Sequence, residues 1–376
     1  MDNILLSGAL AFLITFFAIP IIIQVARDKK LFDEPDERKV HKMVIPTLGG
    51  LGIFAGFIMA SLLGAPTLGS RELQYFAAAS IVIFFLGIKD DILVLSAAKK
   101  FIGQLVAAGI IINFGRVQIT DMHGFLGIHE LPHIASIAFT LLTIIVIINS
   151  FNLIDGVDGL AGSLGLLTSI VFGIYFLIAG YLTYSVLAFS LAGSLIGFLV
   201  YNFSPAKIFM GDTGSLLIGL VNSILVIRFM NVAALPESKW QIEAAPAIGF
   251  AVLIVPLFDT LRVFGLRILD RRSPFSPDRT HVHHFLLDLG FNHKKITLTC
   301  VITNMAFILL AYLLKDIGTT TLIAILLSAA FGLIGLIYYM RPKNKLNDKG
   351  QLGSNAKQDA KPRKLFTLAS EAVEAD

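Results

Sequence analysis

The sequence predicts an all-α, polytopic integral membrane protein with about eleven transmembrane helices, and three observations carry that prediction. Hydrophobic residues make up 56% of the 376 residues and charged residues only 15%, where ordinary soluble domains carry about 25% charged residues. Mean hydropathy is +0.79, so a water-facing surface cannot be built from this composition. The apolar residues are also gathered into runs close to the length of about 20 residues that a helix needs to cross a bilayer core.

In chain order the runs lie at 4–26, 48–65, 73–88, 101–115, 133–151, 160–179, 182–200, 214–230, 245–268, 297–314 and 319–340. The first, from Ile4 to Ala26, has no convincing small-residue cleavage site and reads as a retained helix rather than a signal peptide. Glycines scattered through the runs suit close helix packing in lipid. The single cysteine, Cys300, excludes intrachain disulfides and thiolate metal clusters.

The gaps between runs alternate in charge. Gaps one, three, seven and nine hold Arg27, Lys29, Lys30, Arg38, Lys39 and Lys42, then Lys89, Lys99 and Lys100, then Lys207, then Arg271, Arg272, Arg279, Lys294 and Lys295. Even gaps offer only Arg71, Arg116, Lys239 and Lys315. Cytoplasmic loops carry the excess of Lys and Arg, so the odd gaps face the cytoplasm. With an odd number of spans the N-terminus is then outside and the C-terminus cytoplasmic. Apolar periodicity stops at Arg341, which divides the chain into a transmembrane unit over 1–340 and a flexible cytoplasmic tail over 341–376.

Four polar clusters interrupt the apolar chain, all in odd gaps. Asp90 and Asp91 close the third run; adjacent acids at a membrane boundary are costly unless a positive group lies beside them, though a solvated pair starting a loop is the simpler reading. Asn149, Asn152, Asp155 and Asp158 recur at every third position, which puts Asn149 and Asn152 on one helix face. Position twelve counted from Asp155 is Leu166 rather than an acid, which excludes an EF-hand. Asp158 could equally cap the following helix. Asp212, within Met210-Gly-Asp-Thr-Gly-Ser215, is either a helix cap or a carboxylate holding a metal against phosphate, and no P-loop lysine follows its glycines. His281, His283 and His284 sit in the longest internal loop without the His-Glu-x-x-His spacing of a zinc helix. Asp259 and Arg262, three apart, can pair along a helix.

Together, one face offers hard oxygen donors suited to magnesium or manganese rather than zinc, and basic residues suited to a phosphorylated lipid. The combination reads as phosphoryl transfer onto or from a lipid.

Five motifs in order then bring a known family into view. Arg38-Lys39-x-His41 with Pro46-x-x-Gly49-Gly50, Asp90-Asp91, Asn149-x-x-Asn152-x-x-Asp155-Gly-x-Asp158-Gly-Leu-Ala, Met210-Gly-Asp212-Thr-Gly-Ser and His281-x-His283-His284 resemble the polyprenyl-phosphate N-acetylhexosamine-1-phosphate transferase superfamily. Within it the chain is most similar to the bacterial undecaprenyl-phosphate GlcNAc-1-phosphate transferases. The phospho-MurNAc-pentapeptide branch typically has three consecutive histidines, and Val282 interrupts them here. The resemblance implies a multi-pass enzyme of the bacterial cytoplasmic membrane with its site facing the cytoplasm. It implies UDP-GlcNAc and undecaprenyl phosphate as substrates, UMP as the leaving product and Mg²⁺ or Mn²⁺ as cofactor. No nucleic-acid partner is expected, and a homodimer is left open.

Family analogy and charge logic suggest roles for the residues. Asp90, Asp91 and Asp212 would be catalytic, with Asp212 on the metal and Asp91 assisting it. Asn149, Asn152, Asp155 and Asp158 would bind nucleotide or support the metal. Lys42 and Thr47 would line the nucleotide site, His281, His283 and His284 the sugar phosphate, and Lys100 the lipid phosphate. A multi-span transporter is the rival from another class, but transporters place their key charges near the bilayer midplane, whereas these lie at span ends on one side.

Overall fold

The computed structural model describes residues 2–29, 45–64, 71–235, 240–271 and 280–341. Lys42 and the tail after Arg341 lie outside the described residues, as do Arg38, Lys39 and His41.

Every apolar run forms a helix, because in lipid only intrasegment hydrogen bonds satisfy the backbone. In order the helices are α1 (Asp2–Asp28), α2 (Gly49–Leu63), α3 (Arg71–Leu93), α4 (Ala97–Asn113), α5 (His133–Ile154), α6 (Leu160–Ala179), α7 (Leu182–Asn202), α8 (Gly211–Ala233), α9 (Ala245–Val252), α10 (Ile254–Leu269), α11 (Val282–Asp288), α12 (His293–Leu313) and α13 (Thr319–Met340), with α11 alone lying in a gap between runs. Among the described residues, seven helices are long and apolar enough to cross a membrane: α1, α5, α6, α7, α8, α12 and α13. The bent pair α9 and α10 brings the number to eight if counted as one span. The protein is therefore a polytopic α-helical membrane protein.

The run at 245–268 departs from expectation. It breaks at Leu253, and the two halves meet at 86°. Pro256 accounts for the break: a proline inside a helix lacks an N–H, and its ring collides with the carbonyl four residues earlier, here that of Val252. The groups the break releases are met by Asn304 of α12, whose Nδ2 donates to Val252 O at 2.9 Å and whose Oδ1 accepts from Val255 N at 3.2 Å.

A second departure lies in the fourth gap, which is not merely a loop. Asp121–Phe125 (β1) and Ile128–Glu130 (β2) form an antiparallel hairpin. It is tied to the start of α13, where Thr319 Oγ1 donates to His123 O at 2.9 Å and Leu126 N donates to Thr320 Oγ1 at 2.7 Å.

Helix α8 is the centre of the bundle. In its most apolar stretch 89% of residues are buried, against 17% in the peripheral α13. It lies against α2, α3, α5, α6, α7 and α9. Small residues let it come close: a Cβ on Gly50 of α2 would lie 2.3 Å from Gly214 N, and one on Gly87 of α3 would lie 2.4 Å from Thr213 Cα. Such backbone-to-backbone contact drives helix association where lipid removes the hydrophobic advantage.

Candidate active site

The C-terminal end of α3, the start of α4, the end of α5 and the start of α8 converge at one end of the bundle. Helix α8 begins with unsatisfied N–H groups, and its N-cap residue, Met210, makes no capping bond. Asp91 of α3 supplies the missing acceptor. Its Oδ1 accepts from Asp212 N at 2.7 Å, and its Oδ2 accepts from Thr213 N at 3.1 Å and Thr213 Oγ1 at 2.6 Å. An acid is disfavoured at the negative end of its own helix, and here it is offset by the positive end of another. Of the two readings of Asp212, helix cap or metal-holding carboxylate, the cap gives way to this arrangement.

The segment before α2 completes the clasp. Phe209 N donates to Pro46 O at 2.7 Å, Gly49 N to Phe209 O at 2.9 Å and Gly50 N to Met210 O at 2.8 Å. Thr47 contributes its backbone: a Cβ on Gly211 would lie 2.3 Å from Thr47 O and 2.7 Å from both Asp91 oxygens. Gly211 also has φ +72, a conformation costly for any residue with a side chain. The Pro-x-x-Gly-Gly and Met-Gly-Asp motifs are two halves of one backbone junction.

Asp212 leaves this junction facing two donors and a cation. Asn152 Nδ2 donates to its Oδ1 at 3.0 Å and also to Ser215 Oγ at 3.0 Å. Lys100 Nζ bonds its Oδ2 at 2.6 Å and forms a second, closer pair with Asp90 Oδ2. Asp90 is otherwise bonded by Leu95 N, just past the end of α3. One ammonium thus bridges carboxylates 122 positions apart in the chain, Asp90 of α3 and Asp212 of α8. Asn149 shares its helix face with Asn152 but meets a different partner, donating to Gln104 Oε1 of α4 at 2.8 Å. Gln104 is 2% exposed and was missed in the sequence; its spacing of four from Lys100 inside an apolar run is the signal that marks it.

Asp155 ends α5 beside the same acids. Burial, and then the charges of Asp212, Asp91 and Asp158, push its carboxyl well above the usual carboxylate range. Asp158 does not cap α6, whose N-cap position is Gly159. Its Oδ1 lies 3.1 Å from His293 Nδ1, its Oδ2 accepts from Ala206 N at 3.2 Å, and its carbonyl accepts from Thr297 Oγ1 at 3.0 Å. Asp158 braces the turn at 155–159 against α12 and the segment before α8.

The histidines reach the site from the other side of that turn. The rings of His281 and His283 are parallel, with centroids 5.7 Å apart, and His284 lies 4.3 Å from His283. His283 is 4% exposed, its Nδ1 has no partner among the described residues, and its Nε2 would be 2.8 Å from a Cβ on Gly156. Burial, followed by the neighbouring His284, lowers its pKa to about 3, so it is a neutral imidazole at any physiological pH.

Among the described residues, no group of three or more His, Cys, Asp or Glu side chains is arranged to hold a metal. The chemistry of the donors nonetheless suits one. Asp90 and Asp212 already gather a positive charge between them, and magnesium is commonly bound through one or two carboxylates, with waters and substrate phosphates completing the shell.

Comparison with known proteins places the chain in a family. The profile of glycosyl transferase family 4 matches residues 73–230, the stretch from α3 to the end of α8. A Bacillus subtilis protein described as a probable undecaprenyl-phosphate N-acetylglucosaminyl 1-phosphate transferase is 33% identical over 324 residues, covering 84% of this chain and 87% of that one. The chain belongs to glycosyl transferase family 4. A second family member, the decaprenyl-phosphate N-acetylglucosaminephosphotransferase of Mycobacterium leprae, is 33% identical over 79% of this chain and 80% of its own length. The Salmonella typhi undecaprenyl-phosphate alpha-N-acetylglucosaminyl 1-phosphate transferase is 27% identical over 82% and 81%.

Proposed function

We propose that this family 4 transferase moves GlcNAc-1-phosphate from UDP-GlcNAc to undecaprenyl phosphate, giving undecaprenyl-pyrophosphoryl-GlcNAc and UMP. The observation that carries the reading is the Lys100 ammonium held between Asp90 and Asp212, a site that handles phosphate charge at a helix N-terminus. The names of its relatives support a polyprenyl phosphate acceptor. The reaction begins cell-envelope glycan synthesis at the cytoplasmic face of the bacterial inner membrane, in a chain of eleven spans with its N-terminus outside. Residues 1–340 form the catalytic unit in this reading.

An oxygen of the lipid phosphate attacks the sugar-bearing phosphorus of UDP-GlcNAc, and the anhydride bond to the UMP phosphate breaks. One anhydride replaces another, so no nucleoside triphosphate is consumed. Asp90 lies beside Lys100, where it can orient the incoming phosphate or take its proton. Lys100, at the same point, would pair with the lipid phosphate. Asp212 would hold a Mg²⁺ or Mn²⁺ ion, which would supply charge neutralisation for the departing UMP. Asp91 acts by fixing the turn that carries Asp212, since three hydrogen bonds from that turn already occupy its oxygens. Asn152 orients Asp212, Asn149 supports the same face through Gln104, and the histidines meet the sugar phosphate.

The test is UMP release by the purified protein. Release that requires a divalent cation, undecaprenyl phosphate and UDP-GlcNAc together, and that falls with other UDP-sugars, is the expected result. No release with both substrates and metal present would refute the reading.

A further inference from the structure

Helix α10 follows the 86° break, and on it Asp259 is 1% exposed. A buried carboxylate is costly unless donors surround it, and all the donors described here come from two places. Arg262 Nη2, one turn along, lies 2.9 Å from its Oδ1. The remaining donors lie at the start of α11: Val282 N donates to Oδ1 at 3.0 Å, and His281 Nδ1 lies 2.7 Å from Oδ2. Arg262 also donates to Thr280 O at 2.5 Å. The acid and the arginine together grip three consecutive residues, 280 to 282.

We propose that Asp259 is a positioning residue that acts through His281. A carboxylate can only accept, so Nδ1 must carry a proton, and in the neutral ring Nε2 is then the acceptor on the other edge. The ring lies parallel to that of His283, which itself abuts Gly156 beside Asp155, so the two imidazoles are held as a stack next to the turn that carries Asp155. His281 then presents an acceptor to a hydroxyl or protonated phosphate oxygen of the substrate. If the ring takes that proton at Nε2, the imidazolium forms against a fixed counter-charge. The Asp259–Arg262 ion pair legible in the sequence is thus the lesser half of the arrangement.

The activity arm of the test rests on the transferase reading above; the spectroscopic arm does not. Asp259→Asn keeps the shape and leaves Oδ1 for Val282 N, but turns an amide NH₂ toward His281 Nδ1. The ring proton must then move to Nε2, and an acceptor becomes a donor. In ¹⁵N-histidine spectra of the full chain, wild-type His281 is expected as the Nδ1–H tautomer and the Asn variant as the Nε2–H tautomer. The variant is expected to lose about a hundredfold in kcat, the scale of general acid–base assistance, with KM for UDP-GlcNAc within about threefold. In a His281→Ala background, Asp259→Asn should change kcat by less than about twofold, since the two act as one unit. An equal loss in both backgrounds, or an Nε2–H tautomer in the wild type, overturns the proposal. If the Asn variant does not accumulate, the wild-type spectrum decides alone. A wild type that releases no UMP defeats the functional reading and leaves the tautomer assignment to the spectra.

Discussion

The carboxylate cluster and the histidine cluster approach each other across the turn at 155–159, and both begin at a helix that cannot cap itself. Met210 precedes α8 and His281 precedes α11, and neither makes a side-chain capping bond. Each helix borrows a carboxylate from elsewhere: Asp91 for α8, Asp259 for α11. The difference is in what surrounds the loan. Around Asp91, backbone meets backbone, through Gly50, Gly87 and the bonds linking 46–50 to 209–210. Around Asp259, side chains alone hold a seven-residue helix beyond a broken one. The first region resists side-chain changes but not an added methyl group; the second is exposed to loss of a single polar atom.

The largest effect should come from the chemistry itself. Asp212→Asn is expected to lower UMP release at least about a hundredfold, as removing one preorganised electrostatic partner costs roughly 2.7–4 kcal/mol, while leaving the melting temperature nearly unchanged. Gly211→Ala attacks the backbone junction. A side chain at positive φ costs roughly 1–2 kcal/mol, and its Cβ would strike Thr47 O and Asp91. A lower melting temperature with loss of activity is expected, and an unaltered melting temperature would show the junction to be soft. Gly156→Ala tests the other region: the added methyl displaces His283, and turnover should fall about tenfold for a shift of this kind with little loss of stability. Asn304→Leu leaves Val252 O and Val255 N without their partner, and unfolding in detergent should become easier by about 1–3 kcal/mol.

The smallest effect is one of pH. His283 has its pKa lowered from 6.5 to about 3, so the folded state binds fewer protons there than the unfolded state. Its contribution to stability is complete above about pH 6.5 and is lost as pH falls from there toward 3. Asp155, with its pKa raised, contributes with the opposite sign. The check is therefore a difference: melting temperature should fall less steeply with acidification in His283→Gln than in the wild type.

Much of this was legible in the sequence, because a lipid environment ties hydropathy directly to helix formation. Ten of the eleven apolar runs each became one helix; the run at 245–268 became two, and Pro256 is the residue in the sequence that marks the break. The motif residues Asp90, Asp212 and Asn152 also meet as their spacing and order suggested. What the sequence withheld is which donor meets which acceptor. Asp91 reads as a paired acid for chemistry, yet its oxygens serve the α8 backbone. Asp158 reads as a cap or ligand and is a brace. The hairpin at 121–130 escaped notice because its short strands lack clear alternation and depend on Thr319 and Thr320, almost 200 residues away.

The enclosure of α8 has a consequence for how the protein is made. Of the helices against which it chiefly rests, α2, α3, α5, α6 and α7 precede it in the chain and α9 follows. The segment bearing Asp212 therefore leaves the insertion machinery after most of its walls have been synthesised. It must pass from lipid into a cradle that is already largely present. Truncated chains ending just after Ala233 should for that reason hold α8 away from lipid-soluble photoprobes before the segment carrying His281, His283 and His284 exists.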